Sequence, residues 1–553
     1  MALYTKRQLL RAGIGVAGAA ALTRLAGRDD RMRDLSAPAD ASQAAAAPSC
    51  GRIERINGIP TFIVDDKPFL INGSHLNTWQ AYHQDEPVIE FFDWCERVNC
   101  TAVGMEVYWS FLEPSEGVYD FTSLDWLIKQ SEAHGLKLVL QLYSSNVCGT
   151  IENGSDAHPD PVWVPKYIRD APDKYQRIVL TPALEKLYVS SGPPMCPNDP
   201  RTLERERLYM VRLAQYLRDH DRNRTVILAQ VNNEYVYTVY KGSPEGKFDW
   251  NSVPDARSVR CICPYCNRKW EAGYAGNCYE FMYDSFADYT QVLSDAFVVV
   301  YPLPLYLNSP GIPPAQIRGY LEKCPNIAIV GIDEVVDPRE PNEMAAGQVG
   351  RNIPFAAEVP TQRRLTRFYI DVLPYYMVLG LLGVGHLLWD ALPPDRAAQD
   401  PDMSRRYEQA LYPLKHAQSL IARHRGTPRL SGWYALRDPE SEAVRSVFVR
   451  EGAMTRIEGL AQRAYTHDIQ IDGHILSVSA SQAGVVIAPS EKVLVIGTPR
   501  AMVELSAARV ASVETGRYVG DEWHPNGPHP FEVRSDRVRI NISEPSVLRL
   551  QLT

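Results

Sequence analysis

No stretch of the sequence approaches the roughly 20 consecutive apolar residues that a membrane-spanning helix requires, which excludes a helical membrane protein. It has no basic stripe either. Its 58 Lys and Arg stand against 66 Asp and Glu, a net charge of −8, which argues against a nucleic-acid footprint. Phosphate-cradling loops are missing too, since neither Gly-x-Gly-x-x-Gly after the first strand nor a Walker A loop occurs. Cysteine is scarce, at 10 in 553 residues, so the chain is not a miniprotein held by disulfides. What is present, 45% hydrophobic, 22% charged and 10% aromatic residues, is the composition of a globular protein. At about 150 residues per domain the length suggests about two to four domains, or one large barrel with additions.

Residues 1–50 differ from the rest. Lys6, Arg7 and Arg11 precede a short apolar run from Ala12 to Leu22, and an Ala-rich stretch runs from Ala37 to Ala47. This is the order of an export signal. The string TKRQLLR resembles a twin-arginine signal with Lys6 in place of the first arginine. The expected location is therefore periplasmic or extracellular; the alternative is an amphipathic helix kept on the mature protein.

From Ile53 onward strands alternate with helices. Turn signals at Asn57-Gly58 and Asp65-Asp66 predict a hairpin leading into a buried strand at Phe69 to Gly73. Further apolar runs are TAVGMEVYW, Leu136 to Tyr143, TVILAQVNN, Val298 to Leu307, Ile327 to Ile332, Ile353 to Ala357 and Gly383 to Trp389, with helical stretches between most of them. Eight such units in an α/β chain predict a (β/α)8 TIM barrel with its active site at the strands' C-terminal ends; an open doubly wound sheet shows the same alternation. After Leu420, short runs such as EKVLVIG and DRVRINIS predict an antiparallel β-sandwich. The expected organisation is 1–50 export signal and linker, 51–418 catalytic barrel with a metal-binding loop, and 419–553 β-sandwich.

Chemistry in a barrel belongs where acidic residues end strands. Glu234 closes TVILAQVNNE on the fourth strand and Glu358 closes IPFAAE on the seventh. Two such carboxylates suit glycosidic bond cleavage, because burial raises one pKa while polar neighbours keep the other group ionised. Glu334, closing the sixth run, is a rival for the second role.

These positions, with Asn233 before Glu234, resemble the clan A retaining glycoside hydrolases. Within that clan, MEVYWSFLEPSEGVYDF resembles β-galactosidases of families 35 and 42, whose pattern is met by Trp109, Glu113, Pro114, Gly117, Tyr119 and Phe121. The similarity spans Ile53 to Leu392. It implies that Glu234 is the general acid/base, that Glu358 is the nucleophile, and that Asn233 bonds the sugar 2-hydroxyl. The two carboxyls should then lie about 5 to 5.5 Å apart, the retaining spacing.

A sugar pocket needs an aromatic platform and polar groups for hydroxyls. Tyr108, Trp109 and Trp389 are the expected platform residues, and Glu106, His75 and Asn77 the expected hydroxyl binders. For each aromatic the alternative is ordinary packing. No organic cofactor is implied, and the expected partner is a carbohydrate substrate.

Cys261, Cys263 and Cys266 form CICPYC, and a C-x-C-x-x-C triplet needs one more thiolate to close a tetrahedral zinc site. Family 42 enzymes carry such a triplet. By resemblance to their Cys-Pro-Asn-x-Pro segment, Cys196 in MCPNDP is the fourth ligand of a structural zinc; disulfide pairing with Cys278 is the alternative. Cys95, Cys100, Cys148 and Cys324 read as buried thiols. The expected function is that of a retaining exo-β-glycosidase, first a β-galactosidase, with another β-glycosidase or a non-catalytic carbohydrate-binding protein as alternatives.

Overall fold

The structure is a computed structural model that describes residues 51–76, 86–145, 163–180, 195–231, 260–309, 314–332, 351–360, 373–379, 383–389, 403–437, 444–450, 453–460, 465–480, 482–506 and 510–553. Strands β1 (Gly51–Ile56), β2 (Ile59–Val64) and β3 (Lys67–Phe69) form a small antiparallel sheet. Both predicted turns are made by residues in the left-handed region, Asn57 and Gly58 in the first and Asp65 and Asp66 in the second. Short polar side chains and glycine tolerate that conformation best.

Eight parallel strands then close a barrel: β4 (Ile71–Leu76), β5 (Ala102–Tyr108), β6 (Lys137–Tyr143), β7 (Val226–Gln230), β8 (Leu305–Ser309), β9 (Ile327–Ile332), β10 (Ala356–Pro360) and β11 (Gly385–Trp389). The helices that connect them include α1 (Glu86–Arg97), α2 (Thr122–Ala133), α3 (Pro200–His220), α4 (Pro264–Glu271), α5 (Cys278–Val300), α6 (Pro314–Lys323) and α7 (Leu373–Leu379). The strands alternate as a barrel wall must. On β5, Val103, Met105 and Val107 join the cluster shared with the helices, whereas Ala102 joins an inner cluster with Ile71, Val139, Ile227, Ile329 and Phe355. Phe62 and Val64 of β2 belong to the same inner cluster and fill the barrel floor.

One expected strand is shorter than its apolar run. Val298 to Val300 are the last turn of α5, and the strand begins only at Leu305. Pro302 and Pro304 break the run, because proline supplies no backbone N–H to continue the helix.

A long helix, α8 (Met403–His424), follows the barrel, and the first strand beyond it starts at Leu430. The expected boundary at 418/419 therefore falls inside a helix. Two antiparallel sheets, of eight and five strands, pack over a core that includes Trp433, Val478, Ile496, Val503 and Leu550. Among the described residues no helix is long and apolar enough to cross a membrane.

His386 of β11 is fully buried, its Nε2 3.2 Å from the Tyr407 hydroxyl, and burial pushes its pKa down to about 3. His416 on α8 is lowered to about 4 by the same cause. Both rings stay neutral in the folded state while the unfolded chain protonates near 6.5. Their stabilising contribution is complete above pH about 6.5 and is lost as pH falls toward about 4 and 3. Urea midpoints should drop over that window, and His386→Gln should flatten the drop; parallel curves for the two proteins would refute this.

Candidate active site and cysteine centre

The Trp, Glu-Pro, Gly-x-Tyr-x-Phe motif builds the support beneath the rim. Glu113 is fully buried; its Oε2 accepts from Trp109 Nε1 at 2.8 Å, and its Oε1 accepts from the Gly117 amide at 2.9 Å and pairs with Arg205 of α3. Gly117 has a φ of 75°, so it makes a turn that an L side chain would strain. Trp109 is 0% exposed and stacks on Tyr209 at 5.7 Å in the cluster between barrel and helices. Trp109, expected as a platform residue, is packed here, with its indole N–H on Glu113 and one ring face on Tyr209. Glu113→Ala should cost about 1–3 kcal/mol, since the buried Trp109 N–H loses its acceptor and the half-buried Arg205 loses its ion-pair partner. Chemical denaturation of the variant measures this, and a loss below about 1 kcal/mol, the scale of a surface pair, would refute it.

The inward positions at the upper ends of the first strands are polar. Glu106 and Tyr108 on β5 are both buried, and the Tyr108 hydroxyl donates to the Glu106 carboxylate. His75 on β4 places Nε2 3.9 Å from Glu106 Oε1. Gln141 pairs in register with Glu106, and Tyr143 with Tyr108, at a ring distance of 5.5 Å. Tyr143 in turn meets Trp163 edge to face at 4.3 Å. Gln230 ends β7 and is also buried. The structure brings together His75, Glu106 and Tyr108 and places Gln141, Tyr143, Gln230 and Trp163 beside them. In sequence, the only trace of these is the alternation in KLVLQLY, whose third, fifth and seventh residues face inward.

Glu358 is not the last residue of its strand, since β10 runs on to Pro360. Ala356 pairs with His386 but Val359 pairs with Leu388, so β10 has one extra residue at positions 357–358. Such a bulge interrupts the simple in-out alternation, and bulges are frequent next to active sites. Trp389 ends β11 in register with His75. Asn233 and Glu234, together with Asn77 and the rival Glu334, lie outside the described residues, as does the expected carboxyl spacing.

Next to Tyr143, the chain leaves β6 through Ser144 and Ser145. Glu206 of α3 is buried and accepts from Ser144 Oγ at 2.5 Å and from the Tyr289 hydroxyl at 2.7 Å. Burial pushes its carboxyl up, and the hydroxyl donors oppose that shift. Ser145 O accepts from the Met195 amide at 2.9 Å, which ties this segment to Cys196.

Cys196, Cys261, Cys263 and Cys266 come together, all buried, with their sulfurs within 4.8 Å of one another. Cys196 Sγ lies 3.5 Å from Cys263, 3.4 Å from Cys266 and 4.0 Å from Cys261. A tetrahedron with metal–sulfur bonds of about 2.3 Å has edges near 3.8 Å, so the four sulfurs fit a bound metal ion. Cys263 caps α4 and accepts from the Cys266 amide, while hydrogen bonds from the Cys196, Cys261 and Cys266 thiols hold its pKa down. Cys278 is a free thiol outside the cluster, and Cys95, Cys100 and Cys324 are buried thiols as expected.

The fold is a (β/α)8 barrel, and part of the chain is similar in sequence to a glycoside hydrolase family. Residues 79–271 match the family described as Beta-galactosidase, glycoside hydrolase family 42, a segment that includes Glu106, Trp109, Glu113, Glu234 and the four cysteines. No curated protein matches the chain. Solved structures with some likeness include an exo-β-1,4-mannosidase from Opitutaceae bacterium strain TAV5 (15% identity, TM-score 0.37, covering 65% of this chain and 61% of that one). Others are the catalytic domain of a β-amylase from Paenibacillus polymyxa (9%, 0.39, 58% and 92%) and a family 39 glycoside hydrolase from Bacteroides cellulosilyticus WH2 (12%, 0.40, 89% and 84%). The chain thus spans less than two thirds of the mannosidase.

Proposed function

We propose that the protein is a retaining exo-β-glycosidase, and first a β-galactosidase, acting on terminal sugars of oligo- or polysaccharides. The observation that carries this reading is the β-galactosidase family match across residues 79–271. In the proposed mechanism Glu358 attacks the anomeric carbon while Glu234 protonates the leaving oxygen. Glu234 then deprotonates the water that releases the sugar. Asn233 bonds the 2-hydroxyl. Glu106, with His75 and Tyr108 around it, is suited to bind sugar hydroxyls, and Trp389 to stack on the sugar's C–H face. A panel of aryl β-glycosides tests the reading: the galactoside should have the highest kcat/KM. A different best sugar would move the assignment within the class, and inactivity on every member would overturn it.

The same proposal makes the metal a zinc ion with a structural role, since four protein ligands leave no open position for water. It also makes residues 1–50 an export signal. Detection of the shortened chain outside the cytoplasm would support that assignment, and retention of the full-length chain inside would refute it.

A further inference from the structure

Four thiolates around a dication leave a net charge of −2 in a buried place. Such a charge needs donors aimed at the sulfurs. Backbone amides supply two: Val179 N to Cys261 Sγ at 3.3 Å and Cys266 N to Cys263 Sγ at 3.4 Å. Asn198 supplies another from a side chain, its Nδ2 lying 3.2 Å from Cys266 Sγ and 2.9 Å from Ser285 Oγ. The other end of that amide accepts from Lys269 Nζ at 3.1 Å. A lysine ammonium can only donate, so the amide can face only one way, with its oxygen toward Lys269 and its N–H toward sulfur.

We infer that Lys269 and Asn198 form a relay that delivers positive charge to the metal-bound Cys266 sulfur and thereby holds the metal. The lysine polarises the amide and the amide donates to the sulfur, so the cation acts on the centre without touching it. Lys269 is fixed for this by Asp288 at 2.9 Å and Ser285 at 3.3 Å, both on α5. Asp288 offsets part of the ammonium charge, and Lys323 at 3.4 Å from Asp288 offsets part of that carboxylate in turn. Cys266 and Lys269 share α4, Asn198 precedes α3, and Ser285 and Asp288 lie on α5, so the relay also joins three helices.

The inference rests on the metal reading of the four cysteines and is tested by metal affinity, independent of glycosidase activity. Asn198→Leu, Lys269→Met and the double variant are each titrated with zinc against a chromophoric chelator, and with cobalt by its sulfur-to-metal absorption. Asn198→Leu should bind both metals about 10- to 100-fold more weakly than wild type, the usual effect of losing such a support. Lys269→Met should weaken binding less, and the double variant should match Asn198→Leu, because the lysine acts only through the asparagine. Wild-type affinity in Asn198→Leu would overturn the relay, as would a lysine effect undiminished in the Asn198→Leu background. If Asn198→Leu fails to fold, Lys269→Met decides alone, since its side chain is partly exposed; unchanged affinity there overturns the relay. A wild-type protein that binds neither metal overturns the metal reading itself.

Discussion

Glu358→Ala is expected to lower turnover of the best aryl β-glycoside by on the order of 10,000-fold or more, the scale seen when a covalent nucleophile is removed. In the proposed double displacement this carboxylate forms the glycosyl-enzyme bond, and water placed in the space it vacates is a far weaker nucleophile. Azide added to the variant should restore part of the rate and yield the α-glycosyl azide, because it enters from the face the carboxylate used. Glu234→Ala should behave differently. Its loss should be small for substrates with acidic phenol leaving groups, which need no proton, and azide should give the β-glycosyl azide by attack on the covalent intermediate. Wild-type turnover in both variants would end the assignment, and loss in Glu334→Ala with none in Glu358→Ala would move the nucleophile to Glu334.

Removal of the metal carries the second large effect. Cys266→Ser should lose its zinc and unfold with a stability loss on the order of several kcal/mol, because metal binding free energy in a four-thiolate site is also folding free energy. The cysteines come from before α3 and from the start of α4, so without metal the 260–271 segment keeps only its hydrogen bonds and packing. Elemental analysis should find one zinc per wild-type chain, and a strong chelator should bring the wild-type melting temperature down toward that of Cys266→Ser. Purified protein free of zinc, or a variant that melts with wild type, would sink the prediction.

Much of the barrel was legible because its strands are buried on both sides and read as apolar runs between turn residues. Ile327–Ile332 agrees to the residue, and β5 and β6 agree within one residue at each end. Roles within the motif were harder to read. Trp109 follows a strand end, where a platform was expected, and its indole N–H is held by the carboxylate four residues later. Gln141 and Gln230 went unnoticed because a glutamine inside an apolar run has no partner until the barrel closes and sets its register. The bulge at 357–358 is invisible for the same reason, being a relation between β10 and β11 and not a property of either. The cysteine set was the reverse case. Spacing named three ligands and resemblance the fourth, and all four meet.

The filled floor has a kinetic consequence. Phe62 and Val64 fill the end of the barrel opposite the rim of the proposed site, so in that reading entering and departing molecules share one doorway. In a double displacement the released aglycone must then clear that doorway before water can reach the covalent sugar. Initial-rate plots should be ping-pong. Added alcohols queue at the same entrance as water, and at high concentration they should divert the sugar into new glycosides.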